Sequence, residues 1–118
     1  MSKHNEIGTN GELQAMNFLK KKEYIILASN WRYEKKEVDI IATDGKDLVF
    51  IEVKTRRSKR FGFPEESVSP AKQRHLKDAA VAYCTQTGYV KSIRFDVISI
   101  EWNGAEVPEI RHFHDAFY

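Results

Sequence analysis

Cysteine, proline and glycine are all scarce in this chain, and each shortage removes a class of protein. A single cysteine, Cys84, among 118 residues permits no internal disulfide and excludes a stapled secreted scaffold. Three prolines and six glycines are too few for a collagen-like or low-complexity chain. No apolar run approaches the roughly 18 residues of a membrane span, and MSKHNEIGTN lacks the apolar stretch of a signal peptide. A cytoplasmic protein without membrane association is therefore expected. Neither GxGxxG nor GxxxxGK[ST] occurs, so a nucleotide cofactor has no support. Charge of one sign is lacking too: 19 Lys and Arg stand against 17 Asp and Glu, a formal balance of +2. Any nucleic-acid binding must then rest on where the charges sit, not on their total.

What is present is an ordinary folded composition, 42% hydrophobic and 31% charged. The length suits one domain, expected over residues 9–118 behind a loose leader at 1–8. The stretch from Glu37 to Lys54, EVDIIATDGKDLVFIEVK, carries the strongest signals. Asp44-Gly45 between two apolar runs marks a hairpin. With a two-residue loop Thr43 faces Lys46 and Asp39 faces Phe50. Leu48, Phe50, Glu52 and Lys54 then share one strand face, and Asp39 joins it about 7–8 Å from Glu52 on the diagonal. A slip of one residue would put Asp39 on the other face.

Around this hairpin the chain reads as helix, strand, hairpin, helix, strand, an α/β (α+β) mixed sheet flanked by helices. Thr9 or Asn10 is placed to cap a helix from Gly11 to Lys22, with Leu13, Ala15, Met16 and Leu19 on its apolar side. Glu12 borders that side, either as a first-turn glutamate or as a further carboxylate near the sheet. Tyr24–Ser29 reads as the first strand, and Trp31 and Tyr33 suggest its extension or a covered edge. Ser69-Pro70 is a cap-and-first-turn pair opening a helix that reaches Cys84 or Thr85, with Leu76, Ala79, Ala80 and Tyr83 buried. Lys72 and Gln73 lie in its first turns, within reach of the charged strand face if they do not simply snorkel. Ser92–Ile100 follows as a strand, Asn103-Gly104 as a turn, and EVPEIRHFHDAFY as a terminal strand.

Asp39 and Glu52 are suited to hold Mg²⁺ or Mn²⁺ through oxygen, with the Val53 carbonyl completing the set and Lys54 offsetting charge on a phosphate. The plainer alternative is a charge pair on an exposed strand end. Arg56, Arg57, Lys59 and Arg60 follow directly, as a phosphate-contacting loop or a solvated one. His112 and His114 alternate on one strand but lack further Cys or His at zinc spacing. Cys84 has no base nearby and reads as a packing thiol.

Asp39, twelve intervening residues and Glu52-Val53-Lys54 resemble the PD-(D/E)xK nuclease motif. The wider pattern is similar to the YraN-like uncharacterised protein family of bacteria. Its pieces here are Gly11-Glu12 before Ala15, Asn30-Trp31-Arg32, Glu37 to Ala42, Leu48 to Arg56, Lys72, and Arg94 to Val97. The resemblance implies a restriction-endonuclease-like core, related in shape to archaeal Holliday-junction-resolving nucleases. It implies that Glu12, Asp39 and Glu52 are the metal-binding carboxylates and Lys54 the catalytic lysine. Where the family often reads Gly-Glu-Ile-Asp, this chain has Lys36-Glu37-Val38-Asp39, a change in the turn that leaves the carboxylates untouched. The expected function is Mg²⁺-dependent hydrolysis of DNA phosphodiesters, branched or damaged DNA included. The alternative is a nucleic-acid-binding or partner-docking module on the same fold, with a second copy of the chain or another protein as partner.

Overall fold

Three antiparallel connections and one parallel crossover generate the sheet. The computed structural model describes residues 3–56, 68–102, 104 and 106–117, and of 3–10 the backbone alone. Its elements are α1 (Lys3–Lys21), β1 (Ile25–Tyr33), β2 (Lys36–Thr43), β3 (Leu48–Arg56), α2 (Pro70–Thr87), β4 (Ile93–Glu101) and β5 (Glu109–Phe117). The strands lie in the order β1-β2-β3-β4-β5. Only β3 and β4 run parallel, and α2 makes the crossover between them.

One face of the sheet lies under α2: Val38, Ile41, Leu48, Phe50, Phe95 and Val97 pack against Leu76, Ala79 and Ala80. The other lies under α1, where Ile40, Ala42, Val49, Ile51, Ile98 and Ile100 meet Ala15 and Leu19. Being covered on both sides, β3 and β4 read as apolar runs rather than alternating ones. This five-stranded mixed sheet flanked by two helices is an α/β, restriction-endonuclease-like core. Among the described residues no helix is long and apolar enough to cross a membrane.

α2 forms as its sequence dictates. Ser69 sits at φ −63°, ψ 158° with Oγ accepting from the Lys72 amide at 3.1 Å, Pro70 opens the helix, and Gly88 ends it at φ 74°. Of the expected buried stripe, Leu76, Ala79 and Ala80 are enclosed, while Tyr83 is half-buried with its ring edge on Trp31 and Phe50.

Three expectations need correction. α1 begins at Lys3 rather than Gly11, so Thr9 and Asn10 lie within helix and most of the expected leader is helical backbone. No proline precedes Pro64 to stop it. Leu13 is exposed, because the buried stripe runs Gly11, Ala15, Leu19 at four-residue spacing. β1 does extend to Tyr33, one of the two readings that Trp31 and Tyr33 suggested, and a tight hairpin follows, Tyr33 pairing with Lys36 across Glu34 at φ 56°. The Asp-Gly loop is longer than two residues, as described below. The expected turn at Asn103-Gly104 falls partly outside the described residues; Gly104 itself has φ 74°.

Candidate active site

The hairpin that carries the site closes through Asp44. Its Oδ1 accepts from the amides of Lys46 at 2.9 Å and Asp47 at 2.8 Å, while Thr43 Oγ1 takes the Gly45 amide. This folds Asp44–Asp47 into a four-residue loop, and Thr43 pairs with Leu48, Ile41 with Phe50 and Ile40 with Ile51. The register thus differs by two residues from the expected one. An even shift preserves strand faces. Continued one step, it sets Asp39 beside Glu52 rather than on its diagonal, and Asp39 Oδ2 accepts from the Val53 amide at 2.8 Å.

Just there the alternation of two strands breaks. Val38 and Ile41 both sit on the α2 side of the sheet, as do Ala28 and Trp31 of β1. The pairs Ser29 with Ile40 and Trp31 with Val38 flank Asn30 and Asp39, and Asn30 lies in the left-handed region at φ 51°. Asparagine tolerates that conformation better than most residues. Its side chain hydrogen-bonds the Glu12 carboxylate. Sequence reasoning gave Asn30 no role at the site; an asparagine at the break of a strand pattern is a faint signal of this geometry.

Glu12 reaches this point because α1 approaches β3 closely. Gly11 is buried, and a Cβ built on it would overlap Thr55 Oγ1. On the α2 side, Lys54 Nζ lies 3.7 Å from Glu52 Oε1 and Lys72 Nζ lies 3.6 Å from Glu52 Oε2. The second distance is too long for a hydrogen bond and is a charge contact.

Glu52 is only 6% exposed. Burial, then the neighbouring Asp39 carboxylate, push its pKa up to about 7 against the pull of Lys72 and Lys54. Asp39 moves the same way, chiefly through burial, despite the Val53 amide and the two lysines. Glu12 is also raised: its burial and the charges of Asp39 and Glu37 outweigh the Asn30 hydrogen bond. Three carboxyl groups from three elements are therefore electrostatically joined.

Gln73 turns back to donate to the Val68 carbonyl at 3.0 Å, steadying the start of α2 rather than entering the carboxylate cluster. Arg56 ends β3 in register with Glu101, and Arg57, Lys59 and Arg60 lie outside the described residues. Val53 contributes its amide to Asp39; its carbonyl stays an expectation.

A second polar cluster occupies the α1 side of the sheet. Asp96, His112 and His114 bring ligand atoms within 4.8 Å of one another, a grouping that could hold a divalent metal ion. Its atoms are, however, largely committed. Arg94 donates to both Asp96 oxygens at 2.9 Å, the Asp115 amide adds a third bond, and His112 Nε2 lies 2.6 Å from Oδ2. Lys22 Nζ stands 3.0 Å from His112 Nδ1. A lysine only donates, so Nδ1 accepts and Nε2 carries the proton. Burial would raise the Asp96 pKa, but His112, Arg94 and the Asp115 amide hold it at about 2. A cation here would compete with the His112–Asp96 contact and lie near Arg94, and it would stand across the sheet from the Glu52–Lys72 contact.

Sequence comparison covers the same ground. The model of the uncharacterised protein family UPF0102 matches residues 11–100. A UPF0102 protein of Flavobacterium psychrophilum is 44% identical over 118 residues, covering 100% of this chain and 98% of its own. One from Geobacter sulfurreducens is 45% identical over 118 residues, with 98% and 92% covered. Another, from Caldicellulosiruptor saccharolyticus, is 47% identical over 115 residues, with 95% and 97% covered. The span from Gly11 to Ile100 holds every carboxylate of the cluster, and on this match the chain belongs to the uncharacterised protein family UPF0102, the YraN-like proteins.

Proposed function

We propose that this protein is a divalent-metal-dependent phosphodiester hydrolase acting on DNA. The observation that carries the reading is the anchoring of Asp39 on the Val53 amide next to Glu52, with Lys54 and Lys72 in ion-pair reach of Glu52 and the Glu12 and Asp39 charges coupled directly. Two neighbouring carboxylates whose pKa values are both raised form a site that gains from a cation. Among the described residues Glu52 Oε2 is a buried oxygen with no hydrogen-bond partner. The donor set is all oxygen, which suits Mg²⁺ or Mn²⁺ rather than a softer metal. Asp39 and Glu52 would hold the ion, with Glu12 and the Val53 carbonyl as further ligands. The ion would supply charge neutralisation at the phosphate and a more acidic water.

The chain's own residues account for the rest. Lys54, on the same strand face as Glu52, would stabilise negative charge building on the phosphoryl oxygens. Arg56, with Arg57, Lys59 and Arg60 beyond it, would grip the phosphodiester backbone without reading sequence. Branched and damaged DNA are the first substrates to examine, given the likeness to junction-resolving nucleases.

A second reading is a DNA-binding or docking module without cleavage. One feature favours it: Lys54 and Lys72 already balance the two carboxylates. Incubation of the purified protein with single-stranded, duplex, flap and four-way DNA, and with RNA, separates the two. Cleavage in Mg²⁺ or Mn²⁺ that stops in chelator and in Asp39→Asn supports the hydrolase. Absence of cleavage on every substrate, with no calorimetric metal binding, puts the binding module ahead.

A further inference from the structure

We propose that Lys72 is the resident counter-cation of Glu52, and that a DNA phosphate draws it away so that metal and DNA bind with positive coupling. The inference rests on the metal-dependent reading above. Each oxygen of the Glu52 carboxylate faces its own ammonium group, Lys54 at Oε1 and Lys72 at Oε2. One Asp39 oxygen is meanwhile taken by the Val53 amide. A cation that needs Glu52 must therefore compete with a charge already seated there.

The two lysines are not equally free to leave. Lys54 stands two residues from Glu52 on the same strand and face, so the strand itself keeps its ammonium group beside the carboxylate. Lys72 arrives from another element. Its backbone is fixed in the first turn of α2 by the Ser69 cap and by Gln73 on the Val68 carbonyl. Its four-carbon arm spans the gap, with the side chain 34% exposed against 8% for Glu52. That arm can trade a carboxylate partner for a phosphate without any change in fold. Once it moves, Glu52 Oε2 is open to a metal. Linkage then requires that whatever factor DNA adds to metal affinity, metal adds to DNA affinity.

Calorimetric titration of Mn²⁺ into the full chain, without DNA, tests this with wild type, Lys72→Met, Lys72→Arg and Glu52→Gln. Duplex binding in chelator, read by fluorescence anisotropy, is the companion measurement. Lys72→Met should bind Mn²⁺ at least about fivefold more tightly than wild type, yet bind duplex more weakly. Lys72→Arg should stay close to wild type in both. A residue of merely structural importance would weaken both ligands together. Mn²⁺ binding that Glu52→Gln removes but Lys72→Met leaves unchanged or weakened overturns the inference while keeping the hydrolase reading. Failure of every variant to bind Mn²⁺ overturns both.

Discussion

The Val53 amide donates to Asp39 Oδ2 at 2.8 Å, so one candidate ligand is anchored by the backbone of the strand that carries the other. The hydrogen bond ties the carboxylate of β2 to β3 one residue beyond Glu52. It fixes the orientation of Asp39, and it restricts which substitutions leave the hairpin whole.

Asp39→Asn keeps an oxygen for the Val53 amide and removes the charge. It should fold as wild type does, while metal-dependent cleavage falls at least about a hundredfold. Asp39→Ala should lose activity equally but cost about 1–3 kcal/mol more stability, because it strands the amide. Thermal melts beside cleavage rates check the pair. Equal melting temperatures for the two variants would remove the anchoring role.

Glu52 makes stability depend on pH with a definite sign. Its folded pKa, about 7, lies above the ordinary glutamate value of 4.5, so the folded state holds a proton that the unfolded state has released. The associated stability is present below pH 4.5 and is lost as pH rises through 7. Glu52→Gln should therefore be the more stable protein at pH 8, by about 1–3 kcal/mol, and match wild type at pH 4.5. Denaturant titrations at the two pH values measure the difference; a gap that grows toward low pH contradicts it.

Metal affinity follows the same proton. A cation takes the ionised carboxylate, so Mn²⁺ binding should strengthen from pH 6 to pH 8 and level off above Glu52's pKa of about 7. Calorimetry in buffers of different ionisation enthalpy should register proton release near pH 6.5. Affinity flat across this range would place the metal elsewhere.

Gly11→Ala sets two terms against each other. Removing a helical glycine gains about 1 kcal/mol, whereas the new Cβ meets Thr55 Oγ1 and should cost about 1–3 kcal/mol. The single variant should be destabilised and should loosen Glu12. Adding Thr55→Ala removes the hydroxyl and should restore stability to wild type or above. A double variant as unstable as the single one would show that something else limits the approach of α1.

On the opposite face, Arg94 binds Asp96, Asp44, Asp47 and the Tyr24 hydroxyl. Arg94→Met leaves the fully buried Asp96 without its main cation and should cost about 3–5 kcal/mol. In a marginally stable domain that is a large fraction of the total. Mn²⁺ affinity of the protein that remains folded should be unchanged. A loss of metal binding on His112→Ala, without a fall in melting temperature, would instead assign the metal to Asp96, His112 and His114.

The sequence by itself determined the elements whose signals are local. Ser69-Pro70 specified the start of α2, and the apolar runs of β3 and β4 specified strands buried on both faces. The face shared by Glu52 and Lys54 followed from strand alternation alone. Tertiary structure decided what depends on distant partners. The Asp44 side chain chose a four-residue loop over a two-residue one, a preference set by its own hydrogen bonds and by Arg94 fifty residues on. The fit of Gly11 against Thr55, Asn30 against Glu12 and Lys72 against Glu52 joins residues far apart in the chain. Periodicity reports which face a side chain takes on its own element. Which side chain from another element meets it there is set only when the sheet and its two helices pack.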